Sequence, residues 1–189
     1  MILTVLIGDE RLHGQTEAEA ERLISRVMET LEFGDNAWLT IDQVRRAEGV
    51  YADNTLKVSI NPSTGYGGLS WQVGVNYPKQ GGIYAHTWVS DNPEPPAIDP
   101  RILSDAHHPI FMEPASALPL SEVRKVLEEF YLMGTGDRPR SINWVKGHMN
   151  GERVETGPAV EAAPQSSTDF EAVLGDIMEF AMKKDEIRE

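Results

Sequence analysis

Phe111-Met112-Glu113-Pro114-Ala115-Ser116-Ala117-Leu118-Pro119-Leu120 opens the stretch that decides the fold, and it continues through a helical segment to Met133-Gly134-Thr135-Gly136-Asp137-Arg138-Pro139 and Ser141-Ile142-Asn143-Trp144. Physically this is a strand, a proline-bounded turn, an amphipathic helix with a glycine stop, and a second strand ending in tryptophan. Val123, Val126, Leu127, Phe130 and Tyr131 recur at helical spacing and form one stripe that must be buried. Ser121 is placed to cap the start of the helix, and Gly134 to close its end in the left-handed conformation. Nothing in the stretch is chemically reactive, so it reads as scaffold.

Upstream, Ile2 to Ile7 reads as a short apolar strand. Thr16-x-x-Glu19 is a capping box ahead of a helix to Leu31, with Ala20, Leu23, Ile24, Val27, Met28 and Leu31 on its buried face and Gly34-Asp35-Asn36 as its stop. Ala37 to Ile41 and Thr55 to Ile60 read as strands, the second with Leu56, Val58 and Ile60 inward and Lys57 and Ser59 outward. Asn61 to Gly68 is a turn cluster, and Leu69 to Tyr77 alternates again through Trp71, Val73 and Val75. Gly81-Gly82 before Ile83 to Val89 suggests a hairpin. Ser90 to Pro100 is a loop rich in proline and acid, and a short strand falls near Ile110-Phe111. A helix after the first strand, an antiparallel meander, then a helix and a strand predict an α+β fold: a central antiparallel sheet with two packed helices. This domain is expected over residues 1–155, followed by a Gly/Ala/Pro/Ser-rich tether over 156–167 and an amphipathic C-terminal helix over 168–189. The stripe of that helix, Phe170, Val173, Leu174, Ile177, Met178 and Ala181, must be buried against its own domain, a second copy or a partner.

The ordered set of motifs resembles the Imm1 family of bacterial immunity proteins. It comprises Gly67-Gly68-Leu69-Ser70-Trp71, Trp88-Val89-Ser90, then Pro114, Ser116 and Pro119, Glu129-Phe130, Gly134 or Gly136, Arg138-Pro139 and Trp144. These span roughly residues 50–146, with Ser116 one place earlier than the pattern leads one to expect. The resemblance implies a protein that binds and neutralises a cognate secreted toxin, often a nucleic-acid deaminase or nuclease domain. It also implies that the motifs are framework and leave the contact surface unmarked.

Composition agrees with a soluble single domain: 189 residues, 40% hydrophobic and 25% charged. With 0 cysteines there is no disulfide, thiolate nucleophile or thiolate metal site, which fits a reducing cytoplasm. Met1 to Ile7 is too short for a signal sequence and no run approaches a membrane span, so the chain is expected to stay where it is made. A formal net charge of -13 repels nucleic acid and speeds encounter with basic proteins.

Candidate chemistry is sparse. Adjacent His107-His108 on a strand point to opposite faces, and none of the 5 histidines has the i, i+4 spacing of a helical zinc motif. No metal or cofactor is expected. Asp9, Glu10, Arg11 and His13 form either an acid–base cluster or a solvated loop before a helix. Gly65-Tyr66-Gly67-Gly68 lacks the lysine and the following helix of a phosphate loop, and reads as a hairpin turn. Arg45-Arg46 and Lys183-Lys184 are isolated pairs rather than a nucleic-acid strip. Among the aromatics, Trp71 and Trp144 are assigned to the core, whereas Trp88 and Tyr66 are candidates for a binding surface. Asp91, Glu94 and Asp99 in the proline loop, with Asp53 at the mouth of a preceding strand, are candidates to steer a basic toxin. A small enzyme using Asp9, Glu10 and His13, and an assembly module joined through its C-terminal helix, are the alternatives to a non-catalytic inhibitor.

Overall fold

The computed structural model describes residues 1–44, 52–105 and 109–154. The expected tether and C-terminal helix, His107-His108, Arg45-Arg46 and Lys183-Lys184 all lie outside the described residues. Within them the chain is α+β, as the patterning predicts. Strands β1 (Ile2–Ile7), β2 (Glu10–Gly14), β3 (Asn36–Asp42), β4 (Asn54–Asn61), β5 (Tyr66–Val73) and β6 (Trp88–Asp91) join β10 (Asn143–Lys146) in an antiparallel sheet of order β10-β6-β5-β4-β3-β1-β2. The short β9 (Leu118–Pro119) pairs with the start of β5, and β7 (Leu103–Asp105) with β8 (Ile110–Phe111) makes a separate ribbon. Helices α1 (Glu17–Thr30) and α2 (Leu120–Met133) lie on one face of the sheet. No helix among the described residues is long and apolar enough to cross a membrane.

The helices follow their local signals closely. Thr16 accepts from the Glu19 amide while the Glu19 carboxylate accepts from the Thr16 and Gln15 amides, the reciprocal box that satisfies the first free donors of α1. Those amides hold the Glu19 carboxyl below its usual value. Gly134 closes α2 at φ 63°. Ser121 is not the cap: the helix starts a residue earlier, at Leu120 behind Pro119, with no side-chain cap. The Leu120 amide instead donates to the Gly65 carbonyl in the β4–β5 turn, so tertiary structure supplies what a capping serine would.

Cross-strand register makes the two faces of the sheet legible. One row runs Leu12, Val5, Leu39, Leu56, Trp71 and Trp88, and it faces α1 and α2. With Ala20, Ile24, Val27, Val123, Val126, Leu127 and Phe130 it forms the main core. The neighbouring row runs Arg11, Leu6, Trp38, Lys57, Ser70, Val89 and Val145 on the second face.

The second face corrects the outward assignment of Lys57 and Ser59, which are only 4% and 1% exposed. The β7–β8 ribbon, Met112 and a turn at 147–153 form a further layer over it. The Lys57 ammonium donates to the Ser104 carbonyl (2.5 Å), the Ser104 hydroxyl (3.0 Å) and the Met149 carbonyl (3.1 Å), and lies 5.4 Å from the Trp38 ring centroid. Burial pushes it down to about 8, partly opposed by the charge of Asp105. Ser59 is hydrogen-bonded to Asn36. Close approach of this layer explains Gly68, because a Cβ there would collide with the Met112 sulfur.

Three further expectations change. The Asp9–His13 segment is not a loop but the end of a β-hairpin, turned at Gly8-Asp9. Ile83 does not begin a strand; Gly82–Ala85 is a 3-10 turn and β6 starts only at Trp88. The alternation from Leu69 ends at Val73, and Val75 is exposed. In the second case, the glycines read as a hairpin open a 3-10 turn instead.

Candidate partner-binding surface

Two internal hubs organise the parts around which a surface can form. At the first, the Ser90 hydroxyl donates to the Ser116 carbonyl (2.6 Å) and accepts from the Leu69 amide (3.1 Å). The Gly-Gly-Leu, Trp-x-Ser and Pro-x-Ser segments, distant in sequence, therefore meet at one buried hydroxyl. Pro114–Ser116 is a 3-10 turn, and its Ala115 carbonyl accepts from the Asn92 amide at 2.7 Å.

The second hub is the Gly134–Ser141 segment after α2. Asp137 accepts from Tyr77 (2.9 Å), Tyr84 (3.0 Å), Thr135 (2.9 Å) and the Lys79 ammonium (2.5 Å). Burial by itself raises the Asp137 carboxyl, but these four donors outweigh it and hold the group below the usual carboxylate range. Burial and the same carboxylate push the Tyr77 phenol well above its ordinary value. The Trp71 indole donates to the Gly136 carbonyl at 3.1 Å. Gly136 has φ 75°, and a Cβ there would strike Asn54, so only glycine passes. The Arg138 guanidinium lies 4.1 Å from the Trp88 ring centroid and 6.0 Å from that of Trp144. Glu129 accepts from the Arg140 and Ser141 amides at 2.8 and 3.0 Å, fixing the turn into β10. The motif residues of these two hubs are thus used in fastening the sheet to the Pro114–Ser116 turn and to the segment that follows α2.

The candidate surface residues fall in different places. Trp88 is half-buried; its N–H donates to the Ile83 carbonyl (2.7 Å) and its face carries Arg138. Tyr66 packs on the small second core of Val89, Ile102, Met112 and Ala117. Asp91 pairs with Arg153 at 2.8 Å. Glu94 and Asp99 are exposed on the loop after β6. Asp53 lies beyond the start of β4 and accepts from Asn76 (3.3 Å), while Tyr66 sits opposite Asn61 at the strand's far end. At about 3.4 Å per residue the eight residues of β4 separate them by about 24 Å. Tyr66, Asp91, Glu94 and Asp99 are therefore gathered at the β4–β5 turn end of the sheet, and Asp53 is not.

Sequence reasoning missed the features that shape this end. Ile98, in the loop after β6, is 83% exposed. Asn61 donates to the Pro100 and Arg101 carbonyls at 2.8 and 3.3 Å, and Thr64 to Pro100 at 3.3 Å. Arg101 is a non-glycine residue at φ 53°, held by the Asp99 carboxylate on its amide (2.8 Å) and by stacking 3.9 Å from the Phe111 ring centroid. The sequence signal was available: four prolines bracket one isoleucine.

The acid–base cluster is not assembled. Glu10 pairs with Arg26 of α1 at 2.5 Å, whereas His13 meets Thr4 at 3.0 Å. Three residues apart on a strand, the two point to opposite faces. Among the described residues, no group of three or more His, Asp or Glu is placed to hold a metal.

A family model described as Immunity protein Imm1 matches residues 8–146. The match takes in the whole motif set and reaches further toward the N-terminus than the motifs do, including β2 and α1 but not β1. No curated protein and no solved structure gives a significant match.

Proposed function

We propose a function from one premise: the chain belongs to the Imm1 family of immunity proteins. It neutralises a cognate secreted toxin by tight stoichiometric binding, without catalysis, in the cytoplasm of a bacterium. The toxin is basic and acts on nucleic acid, as a deaminase or nuclease domain, and the inhibitor covers its substrate groove. The net charge of -13 supports this, since an acidic protein is attracted to a groove built for phosphates and competes there with the nucleic acid itself.

One observation carries the reading toward binding rather than chemistry. Ser90 and Glu129 of the family motifs, and Asp137 beside them, are used in internal hydrogen bonds, and the Glu10 and His13 side chains are turned apart. A rigid frame leaves its loops to vary, which is how one scaffold can serve many partners. The inhibitory role is assigned to the domain expected over residues 1–155.

A rescue test checks this. The toxin domain encoded beside this gene is expressed in a sensitive bacterium with and without this protein. Survival together with an equimolar complex on a sizing column is the expected result. Death in both cases with no complex, both proteins being folded, would overturn it.

A further inference from the structure

We propose that the 92–101 loop is a preorganised wedge whose tip, Ile98, enters an apolar pocket of the toxin rimmed by Lys or Arg, with Glu94 and Asp99 meeting that rim. The inference rests on the immunity reading and names the contact that reading leaves open.

The first argument is exposure. Apolar side chains of this size at the surface are ordinary one by one, but Ile98 stands at 83% on a segment fastened at both ends. Exposed Glu94 and Asp99 flank it on either side, with neighbouring Pro95 and Ala97 also exposed. A greasy tip between carboxylates is poorly suited to an anionic partner and well suited to an apolar pocket with a basic rim.

The second argument is rigidity. At one end Asn92 is clamped twice, its amide to the Ala115 carbonyl (2.7 Å) and its side-chain amide to the Ala117 carbonyl (2.6 Å). Its own carboxamide oxygen accepts from the Glu94 amide at 3.0 Å. At the other end Pro100 is buried under Asn61 and Thr64, and Arg101 is held at φ 53° against Phe111. Pro93, Pro95 and Pro96 restrict the span between. A left-handed arginine persists only where its surroundings over-determine it. What this arrangement achieves is to present Ile98 in one conformation, so that little loop entropy remains to be lost on binding.

A single arginine, Arg101, cannot offset both tip carboxylates, Glu94 and Asp99. Its guanidinium is folded back on Phe111, so the only basic side chain between Asp91 and Asp105 is withdrawn onto the body of the protein.

The test uses the full chain and the toxin domain encoded beside its gene, with association and dissociation followed on a biosensor at two salt concentrations. Ile98→Asp is expected to raise Kd by at least about thirtyfold, mainly through faster dissociation. Glu94→Lys, which leaves the bond from the Arg101 amide to Asp99 in place, is expected to slow association about threefold at low salt and to flatten its salt dependence. Thermal midpoints of both variants should match the parent, since the substituted side chains are exposed. If the parent binds and Ile98→Asp binds within about twofold of it, the wedge is overturned while the immunity reading stands. If the parent itself does not bind, the immunity reading fails and the wedge with it.

Discussion

The two faces of one sheet are closed by different physics. On the helix face, Val5, Leu39, Leu56 and Trp71 stand in register beneath two amphipathic helices, and the contact is largely apolar. One row away, Lys57, Ser70 and Val89 lie under a layer of short ribbon and turns, fastened largely by hydrogen bonds from single buried polar groups. Burial of apolar area is non-directional and tolerates many sequences. A buried ammonium or carboxamide works only if each partner stands where its donors point. The helix face therefore supplies most of the stability, and the second face sets the position of the segments that lead to the candidate contact loop.

Breaking the helix face should have the largest effect. Trp71→Ala removes a fully buried ring and its bond to Gly136, and is expected to cost about 3–5 kcal/mol in urea unfolding, enough to leave a marginal domain partly unfolded. A loss below about 1 kcal/mol would mean that the two faces do not differ as argued.

Lys57→Met tests the second face at nearly constant volume. It leaves the Ser104 and Met149 carbonyls without their donor, and about 1–3 kcal/mol should be lost, with faster amide exchange concentrated in 103–105 and 147–151. Acceleration spread evenly over the sheet would argue against a local staple. The pH dependence has a definite sign. The folded-state ammonium titrates near 8, below the ordinary value of 10.5, so the folded state binds fewer protons between these values. Parent stability should therefore rise relative to Lys57→Met as pH increases from about 8 to 10.5, with the burial penalty fully present below 8.

Asn61→Ala removes the anchor of the contact loop without touching its tip. About 1–2 kcal/mol of stability should be lost, and binding of the toxin should weaken through slower association, because the loop must then be ordered on encounter. Unchanged association would show that the loop's own prolines suffice to hold it. Smallest of all, Glu94→Lys should alter stability by no more than about 0.5 kcal/mol, which a thermal melt can confirm.

The difference between the faces also explains what could be read in advance. Thr16-x-x-Glu19, the α2 stripe and Gly134 are local signals, each decided within one or two helical turns, and each is found as expected. The alternation of Leu56, Val58 and Ile60 correctly identified the helix face. Lys57 and Ser59 carried the opposite message because a period of two says which residues share a face, not whether that face is covered. What covers it comes from 47 and 92 residues further along, at Ser104 and Met149. The candidate surface divides in the same way. The acidic, proline-rich character of Asp91, Glu94 and Asp99 was legible, whereas the bond from Asn61 to Pro100, the turned-back Arg101 and the exposure of Ile98 were not.

By itself, then, the sequence determined the fold class, both helices, the apolar face and the family, because these depend on short-range periodicity and an ordered set of framework residues. Tertiary structure alone decided that a lysine is interior, that Glu10 and His13 part company, that three motifs share one serine hydroxyl, and that the loop after β6 is tied down at both ends. Those outcomes depend on which distant segments come to lie against each strand, and a linear pattern carries no information about its neighbours in space.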